Sequence, residues 1–250
     1  LRLLGSNAAT ESSGEFRTTS TAGSTPTLLL SGGNVTLQSG ATITGVSSDS
    51  SPATGITQLA GATLTISGPA TASSLEIQTG GTLNGSGTLT LTGGNNIWSG
   101  GTLADGGTLS VGAGATLSLN GGSKFLGSRT INNAGTILWN SGDILQVGDG
   151  TINNSGLFDI RANAVFTSSD NTVTRLTNFV NTASGELRRS TGTGVAYLGD
   201  VYAYYGHDGY VNLSNSGLVN VQSGTLRLLG SNAATESSGE FRTTSTAGST

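Results

Sequence analysis

The chain has 250 residues, 41 of them glycine, with no cysteine and no methionine. Ten basic against fourteen acidic residues give a net charge of −4, which excludes the electrostatic footprint of a nucleic-acid or anionic-membrane binder. The absence of cysteine excludes a disulfide framework and a thiolate site.

Charged residues are only 10% of the chain, against about 25% in ordinary soluble domains, so the surface is one of hydroxyls and amides. Hydrophobic residues still make up 34% and recur throughout, unlike the composition of a disordered Gly/Ser-rich segment. No apolar run approaches the roughly 18 residues of a membrane-spanning helix, so no membrane insertion is expected in this segment.

The chain opens on Leu1–Thr25, and the same twenty-five residues return unchanged as Leu226–Thr250, an offset of 225 residues. Chance does not produce such an identity, and old duplications diverge. The chain therefore reads as a window on a tandem array, with residues 1–225 as one unit and 226–250 as the start of the next.

Beyond the first copy, short segments alternate with period two. Thr63–Ile66, Leu75–Ile77, Thr88–Leu91, Leu109–Val111, Leu117–Leu119, Leu218–Val221 and Thr225–Leu228 share the form Thr-Leu-x-aliphatic or a close variant. Each predicts a short strand with one buried face. Threonine and β-branched residues suit the pleated surface, and no segment has the 3.6-residue apolar period of a helix. Glycine pairs such as Gly80-Gly81, Gly100-Gly101 and Gly121-Gly122 mark the turns.

Strands spaced by about 8–12 residues fit a sandwich, a barrel or a solenoid. The repeat favours the last, because the strand pattern runs through the boundary from Leu218 to Leu228 and only three prolines occur in the chain. The expected fold is all-β: a right-handed parallel β-helix, continuous through the 225-residue repeat, with about 9–11 coils per unit. Leu3 and Leu228, and likewise Phe16 and Phe241, are expected to be equivalent core residues.

A weaker repeat lies inside the unit. Ile131-Asn132-Asn133-Ala134-Gly135 is echoed by Ile152-Asn153-Asn154-Ser155-Gly156, and more loosely around Asn181 and Asn215. Asparagine tolerates tight corners, and amides stacked on successive coils can bond to one another. Asn133, Asn154, Asn181 and Asn215 are therefore candidates for a ladder, or for ordinary turns.

The run Gly127-Ser128-Arg129-Thr130-Ile131-Asn132-Asn133-Ala134-Gly135 followed by Trp139 resembles repeats of very large bacterial extracellular proteins with parallel β-helix stalks. So does the run Asn153-Asn154-Ser155-Gly156-Leu157-Phe158-Asp159-Ile160. These proteins are adhesin-like and related in style to filamentous haemagglutinins. The resemblance covers most of residues 27–225. It implies a secreted, rod-like protein of the cell surface and carries over no catalytic residue.

Residues 195–212 depart from the pattern. All five tyrosines lie there, Tyr197, Tyr202, Tyr204, Tyr205 and Tyr210, together with the only histidine, His207. Aromatic faces cover sheets, join fibres or stack on sugars, so these residues are the candidate lateral or ligand contact. One histidine with scattered carboxylates is too few ligands for a metal.

No calcium nonapeptide is present, and the Thr-x-Thr pairs Thr42/Thr44, Thr63/Thr65 and Thr88/Thr90 read as exposed strand threonines. Acidic residues occur singly and Lys124 is the only lysine, which disfavours the clustered carboxylates of polysaccharide-cleaving β-helices. No cofactor and no catalytic residue is expected.

The expected function is structural, an extracellular shaft or fibre of a giant bacterial surface protein. The alternative is an adhesive passenger contacting glycans or other cells, with a polysaccharide-active enzyme third. Expected partners are neighbouring repeats of the same chain, with other fibres or cell-surface glycans next.

Overall fold

The computed structural model describes residues 2–3, 10–21, 24–48, 55–104, 106–169, 175–200, 209–231 and 237–244; for Arg2, Leu3 and Thr10 it describes the backbone alone. Among them the regular structure is all strand, arranged as three parallel sheets of eleven, ten and nine strands. Successive strands pass from sheet 1 to sheet 2 to sheet 3 and back to sheet 1, so each turn of the chain adds one rung to every sheet. The fold is a parallel β-solenoid.

Alternation in the sequence decides which side chains point in. On sheet 2, Val35, Leu64, Leu83, Leu103 and Leu126 stand directly above one another, and all are buried. On sheet 1 the inward column runs Leu30, Leu59, Ile77, Trp98, Leu119, Trp139 and Ile160. Each such side chain contributes roughly 1.5–3 kcal/mol relative to exposure. Phe158 of sheet 1 meets Phe179 of sheet 3 edge to face, centroids 5.2 Å apart and planes at 79°, and closes the interior between two sheets.

Outward positions of the same strands carry hydroxyls and amides. Thr88, Thr108, Thr130 and Thr151 form one outer column on sheet 3. Parallel sheets are normally buried on both faces, but here the interior is shared by three sheets and the outer faces meet solvent. The backbone ladders between rungs satisfy the main chain, so few charges are needed.

The turns differ in length. The step from Thr57 to Leu75 is a short turn, and the step from Asn181 to Asn215 is the longest between paired rungs. At the tight corners, backbone of adjacent rungs touches. Gly101 has φ of +71°, and a Cβ there would fall onto the carbonyl oxygens of Gln78 and Gly81. Only glycine fits.

The expected equivalence of the two repeat copies holds in face and fails in sheet. Phe16 aligns with buried Ile43 on sheet 3, whereas Phe241 aligns with buried Val219 on sheet 1. Arg2–Leu3 lies on sheet 1 and its counterpart Arg227–Leu228 on sheet 2. The reason is the count of turns: the offset of 225 residues takes nine full turns and one further sheet. Phe241 and Leu228 are exposed because no described strand lies above them.

Candidate functional site

Tyr197 lies on the strand Val195–Leu198 of sheet 2, between buried Ala196 and Leu198, which places its ring on the outer face, half-buried. In register it has Val165 on one side and Arg227 on the other. Tyr210 lies on the strand Gly209–Asn215 of sheet 3, half-buried beside Leu176. Its carbonyl accepts a hydrogen bond from Gln146 Nε2 at 3.0 Å.

Between these strands the backbone is pinched at one point. Asp200 N donates to Gly209 O at 2.9 Å and Gly209 N donates to Asp200 O at 3.1 Å, an antiparallel bridge. The bridge ties the end of the sheet 2 strand to the start of the sheet 3 strand. Tyr202, Tyr204, Tyr205 and His207 lie outside the described residues. The structure thus puts Tyr197 and Tyr210 on the two strands that flank one corner.

Asn133, Asn154, Asn181 and Asn215 occupy consecutive rungs of one inward column on sheet 3, all fully buried or nearly so. Asn133 Nδ2 donates to Asn154 Oδ1 at 2.7 Å, Asn154 to Asn181 at 2.8 Å and Asn181 to Asn215 at 2.8 Å. The second proton of each amide goes to a main-chain carbonyl, of Leu157, Glu186 and Leu218 respectively. Buried amides are costly unless paired, and here the donors are paired twice over. The row begins on Val111, which has nothing to donate, so Asn133 Oδ1 is buried without a partner. At the other end Asn215 aligns with Ser237.

Charged side chains also enter the interior, which the sequence did not announce. Lys124 is fully buried, and its Nζ donates to Gly122 O and Ser141 O, both at 2.8 Å. Burial lowers its pKa to about 8, with the Asp143 charge opposing. Arg189 takes the inward position above Ile160 and donates to Ala162 O at 2.6 Å and to Asn163 Oδ1. Both cations staple corner carbonyls of neighbouring rungs. The signal was parity: Leu187-Arg188-Arg189 keeps the alternation, so Arg189 shares the face of Leu187.

On sheet 1, Asp159 is buried and its Oδ2 accepts from Arg161 at 2.9 Å and Arg188 at 3.0 Å. Burial pushes this carboxyl up, but the hydrogen bonds from Arg188 and Arg161 outweigh it and hold it below its ordinary value.

Among the described residues no group of three His, Cys, Asp or Glu converges in a way that would hold a metal. A shallow groove on the outer face of sheet 1 is lined by Ile56, Ser74, Gly94, Asn95, Ile97, Ser118 and Asn120, without a charge. No helix among the described residues is long and apolar enough to cross a membrane.

In comparison with known proteins, no family model, no curated protein and no solved structure matches the chain.

Proposed function

We propose that the chain is a segment of an extracellular shaft or fibre of a large bacterial surface protein, built from 225-residue units. One observation carries this reading. Among the described residues the three sheets continue from one copy of the repeated sequence to the other around a single hydrophobic core. A fold that adds one rung per turn supplies length, and identical units supply it in fixed increments. The right-handed winding of parallel strand connections is part of the same proposal.

A surface rich in hydroxyls and amides, internal cations stapling corners and a buried amide row are features of a scaffold. They offer stiffness without a reaction centre. The test is immunogold labelling of intact producing cells with antibody raised against the chain. Gold along surface fibres is expected. Labelling that appears only after the cells are opened would sink the reading.

The second reading, adhesion, draws on the corner between sheets 2 and 3 and on the sheet 1 groove. Tyr197 and Tyr210 lie half-buried on the two strands joined by the Asp200–Gly209 bridge, and aromatic rings so placed would suit contact with a partner fibre or a glycan. A groove of isoleucine, serine and asparagine suits a neutral sugar. Replacing Tyr202, Tyr204, Tyr205 and Tyr210 by serine is expected to leave the circular dichroism unchanged and to lower bundling and cell adherence. Unchanged adherence in a folded variant removes this reading and leaves the shaft.

A further inference from the structure

The two copies of the repeated sequence wind identically but start one sheet apart. In the first, Arg2–Leu3 lies on sheet 1, Thr10–Ser12 on sheet 2 and Glu15–Ser20 on sheet 3. In the second, Thr225–Leu228 lies on sheet 2, Ser237 aligns with Asn215 of sheet 3, and Glu240–Thr243 lies on sheet 1. All three segments shift by one sheet, in the direction in which the chain winds.

Two inward side chains of the second copy are uncovered among the described residues. Phe241 points to the inner side above Val219 yet is 56% exposed, and Leu228 above Leu198 is 38% exposed. The first copy shows what covers this sequence. Arg2 is paired with Leu29, Thr10 with Val35 and Phe16 with Ile43, so its three segments are capped by Thr27–Leu30, Asn34–Leu37 and Thr42–Ser47. An identical sequence in an identical winding calls for the same cap.

We propose that the rung formed by Thr225–Leu228 and Glu240–Thr243 is the docking face for the next copy of the repeat, which enters through its counterparts of Thr27–Ser47, and that each unit is therefore turned about a third of a turn from the one before. This rests on the shaft reading. Arg227 then lies between Tyr197 and the next unit's counterpart of Leu29. Phe241 lies between Val219 and the counterpart of Ile43, and its ring is enclosed.

The turn has a function. Any feature present once per unit, the tyrosine corner included, faces a new side in each unit and returns to the first side every third unit. A shaft of such units presents its lateral contact in three directions, and fits further copies of itself on all sides rather than along one seam.

The experiment extends the chain at its C-terminus by further copies of residues 26–250, to make chains of two, three and four units. Ser123, exposed at the corner from sheet 1 to sheet 2, is changed to cysteine in every unit and labelled with monofunctional gold. In electron micrographs the rod is expected to lengthen by roughly 45 Å per unit, at about 4.8 Å per rung. The labels should step round the rod by about a third of a turn, the fourth in line with the first. A rod of that length with all labels along one edge overturns the rotation and leaves the shaft standing. Separate globules overturn both.

A second variant tests the docking face by folding alone. Phe241→Asp in the 250-residue chain should leave the unfolding midpoint nearly unchanged, because the ring is exposed there. In the two-unit chain it should split one unfolding transition into two. A single unshifted transition in the two-unit variant would overturn the docking face.

Discussion

The guanidinium carbon of Arg227 lies 5.7 Å from the ring centre of Tyr197, its register neighbour on sheet 2. Tyr197 belongs to the most irregular stretch of the unit and Arg227 to the repeated one, so a cation–π contact joins them across successive rungs. Arg227→Ala is expected to lower stability by about 0.5–1 kcal/mol, as for a contact open to solvent. Tyr197→Phe should cost less than Tyr197→Leu, since phenylalanine keeps the ring face. Denaturant midpoints of the three variants check the order.

The asparagine row predicts a larger loss. Asn154→Leu removes the acceptor of Asn133 and the donor to Asn181, and leaves the Glu186 carbonyl without its side-chain donor. Each unpaired buried polar group costs about 1–3 kcal/mol, so a total of roughly 2–5 kcal/mol is expected. Asn153→Leu, one residue away on the outer face, should cost under about 1 kcal/mol, because solvent replaces its bond to Asn132. Equal costs at the two positions would show that the row adds nothing.

Lys124 predicts an alkaline limb in the stability profile. Its folded-state pKa of about 8 lies below the unfolded value of 10.5. Between these values the unfolded chain holds more protons, so stability should rise with pH across that window and level off above it. In Lys124→Met this rise should vanish. Chemical denaturation at pH 7, 9 and 10.5 tests both chains.

Asp159 predicts the acid limb. Its carboxyl is held below its ordinary value, so its contribution is present above that value and is lost as the pH falls through the folded-state pKa. Asp159→Asn should be less stable at pH 7, since Arg188 and Arg161 lose their anion, and should lose less on acidification than the parent. Thermal melts from pH 7 to pH 2 measure the difference.

Two glycines separate crowding from dihedral strain. Gly101 and Gly114 both have positive φ, +71° and +77°, but a Cβ at Gly114 meets nothing within 4 Å. Gly114→Ala should cost only the left-handed penalty, about 1 kcal/mol. Gly101→Ala adds contact with two carbonyl oxygens and should cost more than 3 kcal/mol or fail to fold. Similar midpoints for the two would contradict the close approach of rungs at Gly101.

Much of the fold was legible in the sequence because each rung carries its own instruction. Thr88–Leu91 alternates, its neighbour Thr108–Val111 alternates with it, and stacking follows from equal phase. The asparagine spacing was readable between Asn133 and Asn154 for the same reason: the turn between them holds no extra segment. Asn181 and Asn215 were fainter because they follow the preceding asparagine of the row by 27 and 34 residues, against 21 between Asn133 and Asn154.

Other features depend on sums over the whole chain. The one-sheet shift between Arg2 and Arg227 appears only when every turn has been counted, and no local pattern records it. Lys124 and Arg189 were hidden by their charge. Their alternation points inward, yet a cation ordinarily reads as solvent-facing until corner carbonyls are found waiting for it.

The unequal turns have a mechanical consequence. Strands lie across the long axis, so a pull along it loads the hydrogen bonds between one rung and the next instead of shearing whole sheets. A rung that yields lets out the chain stored in its turn. The turn from Thr57 to Leu75 lets out little, and the one from Asn181 to Asn215 lets out the most. Under load the unit would pay out length in graded steps, and the amide row from Asn133 to Asn215 adds resistance to the rungs with the most slack to give.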